Sequence, residues 1–329
     1  MHVWTQTALM GIYTLTPTHF GSGQANGAVD LPIARDAATN FPILPATGIK
    51  GVMRDYAGFV PALKSDENIS TLFGSAIEPV AGDAGRAPTA PGGTEAGKSP
   101  VIKAGKLAFT EARLIAYPVR SLNRGFLHVS CPLILETLAR DLRSLGAGAL
   151  LDLPPLDAAA AASAQVADPA LARDALVLED LVYRVDEVSQ STAVQTIASA
   201  LAGLIPATEG ATRERFKSGF VLIPDQDFNA LMDYVVPVQA RIKLGENKTT
   251  DDGGNLWYEE RLPSDCLFAG FVGERRGRNK QGAEPGLQAL LDARDFFAVL
   301  QIGGNETVGN GICRTTLLPG STLAAGSAA

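Results

Sequence analysis

Residues 19–54 read HFGSGQANGAVDLPIARDAATNFPILPATGIKGVMR, and no other part of the chain packs so many special residue types so closely. Gly21, Gly23 and Gly27 allow positive φ and close approach of a ligand to the main chain. Asp30 stands between Val29 and Leu31-Pro32, so the spacing predicts an extended, partly buried carboxylate that must be paired, solvated or bound to a metal. Pro42 and Pro45 then break the chain before a helix start at Ile49, on which Lys50 and Arg54, four apart, share one face. Free N–H groups at a helix N-terminus together with two cations suit phosphate. The residues alone therefore describe a polyanion site beside a carboxylate.

Outward from this stretch, residues 8–16 read as a first strand ended by Pro17, and 49–59 and 66–74 as short helices, the second stopped by Gly74. From 77 to 99 the composition falls to Ala, Gly and Pro, a surface insertion. Strand character resumes at 105–117, a helix follows at 132–145 with Gly146 after it, and 147–175 reads as a loose Ala-rich insertion. Further strands are expected at 176–188, 219–224, 268–273 and 296–302, with helices at 190–205, 225–234 (capped by Asp225) and 285–295. Residues 236–262 form two β-rich arms around the polar tip GENKTTDDGG, which predicts a long hairpin.

The 329 residues can bury a sizeable core, and 46% hydrophobic with 19% charged residues describes a globular chain. The formal charge of −7 argues against free, non-specific nucleic-acid binding, although Arg275, Arg276, Arg278 and Lys280 cluster locally. Cys131, Cys266 and Cys313 are too far apart for a zinc site or a disulfide framework, which fits a reducing cytoplasm. The N-terminus lacks the pattern of a signal peptide, and no run reaches the length of a spanning helix. Neither a P-loop nor a Ser/His/Asp order is present, and GGNETVGNG at 303–311 lacks the βαβ context of a dinucleotide site.

Five ordered motifs carry a resemblance. The run TLTPTHFGSG…VDLPIARD…FPILPATGIKGVMRDY resembles the RAMP proteins of type III CRISPR effector complexes; Ala46 replaces a glycine common there. PVRS…GFLHVSCPLIL at 118–135 and ARIKL…GGNLWYEERLPSDCLF at 240–268 narrow it to the backbone subunit of the type III-B (Cmr) complex, and QIGGNETVGNGICR at 301–314 looks like the family's glycine-rich RNA loop.

The resemblance implies an α+β fold: one RRM-like, ferredoxin-type palm over 1–318, with helical insertions near 49–100 and 136–175. A β-hairpin thumb would lie at 236–262, or alternatively within 183–220, and 319–329 would be a disordered tail. It implies guide CRISPR RNA and target RNA as ligands, further copies of the chain in a helical filament, and the large polymerase/cyclase-type, small helical and other RAMP subunits as partners. No membrane is involved. Asp30 becomes the residue for target cleavage, with Mg²⁺ or another divalent cation held there.

His19, a turn histidine by its residues alone, would lie near the cleaved bond, and Glu259 or Glu260 stands where relatives carry an acid. Lys50, Arg54, Arg120 and Arg124 would meet RNA, as would Gly21, Gly23, Gly303, Gly304, Gly309, Gly311 and Arg314. Trp257 and Tyr258 would stack on bases, worth about 1–3 kcal/mol each, or serve as cross-strand aromatics. Two rivals remain: a scaffold that binds guide RNA without cleaving, and a metal-independent endonuclease acting on guide precursor with His19 as general base.

Overall fold

The computed structural model describes residues 3–23, 27–75, 103–157, 162–244, 256–276 and 284–320. The expected insertion at 77–99, the tail from 321, the hairpin tip at 245–255, Arg278, Lys280 and His2 lie outside them.

Strand β1 (Trp4–Thr14) is buried on both faces from Ala8 onward, as the nearly unbroken apolar run ALMGIY requires. Gly11 is needed in its middle, because a Cβ there would lie 2.5 Å from the Leu204 carbonyl oxygen. A short strand, β2 (Ile43–Leu44), leads into helix α1 (Ala46–Ala57), whose Ile49, Met53 and Ala57 are buried at four-residue spacing. Helix α2 (Asp66–Phe73) is capped by the Ser65 side chain and stopped by Gly74 at φ +96°.

The strand expected at 105–117 is interrupted. β3 (Leu107–Phe109) and β4 (Ala112–Ser121) both pair with a later strand, β13 below, with Thr110 and Glu111 breaking the run. Strand β5 (Gly125–Ser130) follows, then α3 (Pro132–Ser144), which starts with Pro132 where its missing N–H costs nothing. The Ala-rich stretch is more ordered than expected, because β6 (Ala164–Val166) joins the sheet. The run at 176–188 folds as a tight hairpin of β7 (Leu176–Leu178) and β8 (Leu181–Tyr183), turned by Glu179 at φ 51°, and is followed by β9 (Val188–Gln190).

Helix α4 (Thr192–Leu201) buries Val194, Ile197, Ala198 and Leu201, and α5 (Gly210–Ser218) buries Phe216. Sequence reasoning missed α5 because GATRERFKS has one apolar side chain and no amphipathic period. Its neighbour α4 packs its four buried side chains into the core. Strand β10 (Phe220–Leu222) precedes α6 (Asp225–Met232), where Asp225 does not cap the helix. Pro224 occupies that position, and the Asp225 carboxylate accepts instead from the Leu133 N–H.

The remaining elements are β11 (Val238–Ile242), β12 (Leu256–Glu260), β13 (Leu267–Arg275), α7 (Leu287–Asp292), β14 (Val299–Gln301) and β15 (Ile312–Pro319). Thirteen described strands form one mixed sheet with the path β14-β15-β1-β13-β4-β5-β10-β6-β9, while β11 and β12 form a separate ribbon. Within it β15-β1-β13-β4 is antiparallel throughout, with α1 between β1 and β4 in the chain and α7 between β13 and β15. No described helix is long and apolar enough to cross a membrane.

One polar group sits deep in the core. His128 on β5 is 1% exposed among Phe126, Phe216 and Tyr13, and its Nε2 has no hydrogen-bond partner among the described residues. Burial, then the Arg215 guanidinium, pushes its pKa down to about 3. An unfolded histidine binds a proton near pH 6.5, so the fold loses stability as pH drops from there toward 3, by up to about 1.4 kcal/mol per pH unit. His128→Phe is expected to flatten that part of the profile relative to wild type, as read from urea midpoints between pH 7 and pH 4.5.

Candidate nucleic-acid interface

Where β1 ends, three distant segments converge on His19. Its ring Nδ1 lies 2.8 Å from the Glu260 carbonyl oxygen. A carbonyl can only accept, so Nδ1 carries the proton and Nε2 keeps its lone pair in the neutral ring. Nε2 faces Gly21, where a Cβ would stand only 2.7 Å away. The backbone of His19 is gripped from the other side: Gly304 N–H donates to the His19 carbonyl at 2.9 Å, and Gly303 adopts φ +95° where a Cβ would come within 2.4 Å of that oxygen. Of the early glycines only Gly23 has positive φ; Gly21 is needed for space, and Gly27 for neither reason.

The two adjacent acids differ in setting. Glu259 is 1% exposed, and its carboxylate meets Arg241 Nε at 2.9 Å, Arg261 Nε at 3.4 Å, the Asn305 side-chain amide and, at 3.8 Å, His19 Nδ1. Glu260 instead binds the Ile33 N–H at 3.0 Å and Arg35 at 3.2 Å, pinning the segment after Asp30. Sequence reasoning left open which acid faces RNA. Both are held by intramolecular partners, Glu259 beside His19 and Glu260 beside Arg35.

The hairpin arms at 236–262 are present as the β11–β12 ribbon, with Ala240 opposite Tyr258 and Arg241 opposite Trp257. Strand alternation gives it two faces. Glu259 and the partly buried Arg241 and Trp257 belong to the face that meets the body, whereas Val238, Ile242, Leu256 and Tyr258 on the other face are about half exposed, with Leu244 beyond. Trp257 and Tyr258 are thus outside the sheet core.

Asp30 lies against this ribbon and is exposed, contrary to the partial burial expected from its apolar neighbours. The segment turns there to dock on β12: the Asp30 and Leu31 N–H groups both donate to the Tyr258 carbonyl, and Asp30 Oδ2 accepts from the Tyr258 N–H at 2.8 Å. That bond holds one oxygen of the exposed carboxylate. Among the described residues no group of three His, Cys, Asp or Glu side chains could enclose a metal.

The other candidates sit elsewhere. Lys50 lines a recess of about 480 Å³ with Thr47, Lys103 and Arg275, at the start of α1. Arg54 donates to the Gly74 carbonyl and closes the end of α2. Arg120 is well exposed, 3.6 Å from Glu179, whereas Arg124 is held by Asp168 and the Ser218 carbonyl. Arg314 is paired with Glu209 at 2.6 Å. In the glycine-rich turn Gly311 (φ +79°) could not carry a Cβ, which would meet the Ile302 oxygen at 2.2 Å, while Gly309 (φ +78°) faces open space. Arg35, Arg241, Arg261 and Asn305 were not singled out from sequence. For Asn305 a signal existed, since asparagine among glycines often takes the left-handed conformation it has here, φ 64°.

The chain belongs to the RAMP superfamily, whose family model matches residues 11–314. It is 32% identical over 312 residues to the CRISPR system Cmr endoribonuclease Cmr4 of Pyrococcus furiosus, covering 94% of this chain and 95% of that one. The solved structure of oligomeric Cmr4 from Pyrococcus furiosus superposes with a TM-score of 0.65 at 25% identity, over 96% of this chain and 99% of the other. A subunit of the type III-B Cmr-beta complex bound to cognate target RNA shares the fold, with a TM-score of 0.67 at 17% identity over 96% of this chain and 98% of that one.

Removing Glu259 leaves buried cations without their counter-charge. Glu259→Ala is expected to cost roughly 3–5 kcal/mol, and Glu260→Ala less, since the Glu260 side chain is itself nearer to solvent and pairs with Arg35 where Glu259 faces both Arg241 and Arg261. Urea denaturation of both variants measures the difference.

Proposed function

We propose that the chain is a repeating backbone subunit of a type III-B CRISPR effector that holds guide RNA and cleaves the paired target RNA. Its partners are further copies of itself in a helical filament, the other Cmr subunits and both RNA strands. The likeness to Cmr4 over nearly the whole chain supports this. At the level of chemistry the observation that carries it is Asp30: an exposed carboxylate held through one oxygen by the Tyr258 N–H, against a ribbon whose outer face is largely apolar. The strand order β15-β1-β13-β4 with its two intervening helices supports the RRM-like palm, and the β11–β12 ribbon is our thumb.

Each group then has a task. Lys50 and the N–H groups at the start of α1 take guide phosphates, and the turn at 303–311 presents further backbone N–H groups. Arg120 is free enough to reach a phosphate, whereas Arg124 and Arg314 already serve internal carboxylates. The apolar face of the ribbon suits a wedge, since parting stacked bases costs a few kcal/mol per step and needs apolar contact in return. Tyr258 on that face can stack on a splayed base.

The lone carboxylate of Asp30 fits a hydrated Mg²⁺, which keeps most of its waters and takes one or two carboxylates along with substrate phosphate. Such an ion, when bound, supplies charge neutralisation at the phosphate. The chain's own contribution is to hold the target strand splayed, so that a 2′-hydroxyl lies in line with its phosphate. A second reading keeps His19 as a general base without metal, and the Nδ1-protonated ring with its Nε2 lone pair is what favours it.

The test uses the assembled complex with guide and end-labelled complementary RNA. Wild type in Mg²⁺ is expected to give evenly spaced products, and Asp30→Ala to cut at least about a hundredfold more slowly while still binding target. Products that persist in EDTA would favour the His19 reading, and target binding without any products in wild type would leave a scaffold.

A further inference from the structure

The strongest feature outside these assignments is a closed ring of contacts through Asn305. From His19 the ring runs through the Gly304 N–H on the His19 carbonyl to Asn305, and on through its side-chain amide to Glu259. It returns through the Glu260 carbonyl to His19 Nδ1. Three segments, two of them more than 200 residues from His19 in the chain, are thereby joined around that residue. Asn305 is the member that nothing else explains. It holds the left-handed φ of 64°, which a non-glycine residue adopts at a cost, and its side chain supplies a neutral donor to a buried carboxylate already facing arginines.

We infer that Asn305 is a positioning residue: through Glu259 it fixes the His19 imidazole, with the proton on Nδ1 and Nε2 turned toward Gly21, and sets the glycine turn against it. This rests on the reading of the site as the place where target RNA is cut. Asn305 touches no substrate itself. Arg241 extends the ring to the hairpin, since from β11 its Nε lies 2.9 Å from the same carboxylate, while its Nη2 has no hydrogen-bond partner among the described residues. Glu259 therefore joins the ribbon, the glycine turn and His19. A ribbon displaced by RNA would be felt at the ring.

Three variants separate the side chain from the backbone. Asn305→Gly keeps the left-handed conformation and removes the amide; Asn305→Asp keeps the shape but sets a second carboxylate against Glu259. The double variant Asn305→Asp/Glu259→Gln restores one hydrogen bond with donor and acceptor exchanged. In the assembled complex, the single-turnover cleavage rate of bound target is expected to fall about tenfold or more in both single variants, with target affinity within about twofold of wild type and the double variant faster than Asn305→Asp. Cleavage by Asn305→Gly at the wild-type rate would overturn the inference.

The second readout does not depend on cleavage. Nitrogen NMR of histidine-labelled chain should show His19 as one Nδ1-protonated tautomer in wild type and as a mixture in Asn305→Gly; an unchanged signal would overturn the inference. A wild-type complex that binds target but gives no products would instead sink the functional reading, and the tautomer measurement would still decide on Asn305.

Discussion

A carboxylate removed from water must find its compensation inside the protein, and for Glu259 that compensation is gathered from across the chain. Arg241 comes from the outer ribbon strand, Arg261 from just past its partner strand, Asn305 from the glycine turn and His19 from the end of the first strand. The outer ribbon strand and the glycine turn bury little apolar surface of their own, whereas His19 follows a strand buried on both faces. The charge makes them interdependent: with Glu259 in place the ribbon has a fixed base, the turn a fixed crest and His19 a fixed tautomer. This arrangement lets a site built mostly of loops hold its geometry against a large palm sheet.

The motifs found in sequence divide accordingly. A residue with a local conformational reason to be where it is was legible by itself: Gly74 was read as a helix stop and ends α2. Strands with continuous apolar runs, β1 and β13, were equally clear. Less legible were elements whose identity depends on tertiary pairing. Helix α5 has no period to detect, β6 is three residues inside an Ala-rich stretch, and β3 and β4 read as one strand because the break at Thr110 and Glu111 exists only relative to β13.

The site shows the same limit. Asp30 stood out in sequence as a candidate, but its exposure could not be read, since Val29, Leu31 and Pro32 suggest burial while the backbone docks onto Tyr258 and the residue is exposed. Charge identity was readable and charge partnership was not. Arg54, Arg124 and Arg314 looked alike as candidates for phosphate, yet they serve Gly74, Asp168 and Glu209. Cations committed to internal carboxylates leave few for a polyanion, in keeping with a net charge of −7 and with RNA held by local geometry rather than by a broad basic field.

The apolar outer face of the ribbon has a consequence for the life of the chain before assembly. Val238, Ile242, Leu244, Leu256 and Tyr258 form an apolar stripe on a two-stranded element, about half exposed among the described residues. Such a stripe does not discriminate among partners until a fitting surface arrives. Assembly that lays a fitting surface on the stripe therefore does two things at once: it seats the ribbon and takes its apolar side chains out of water.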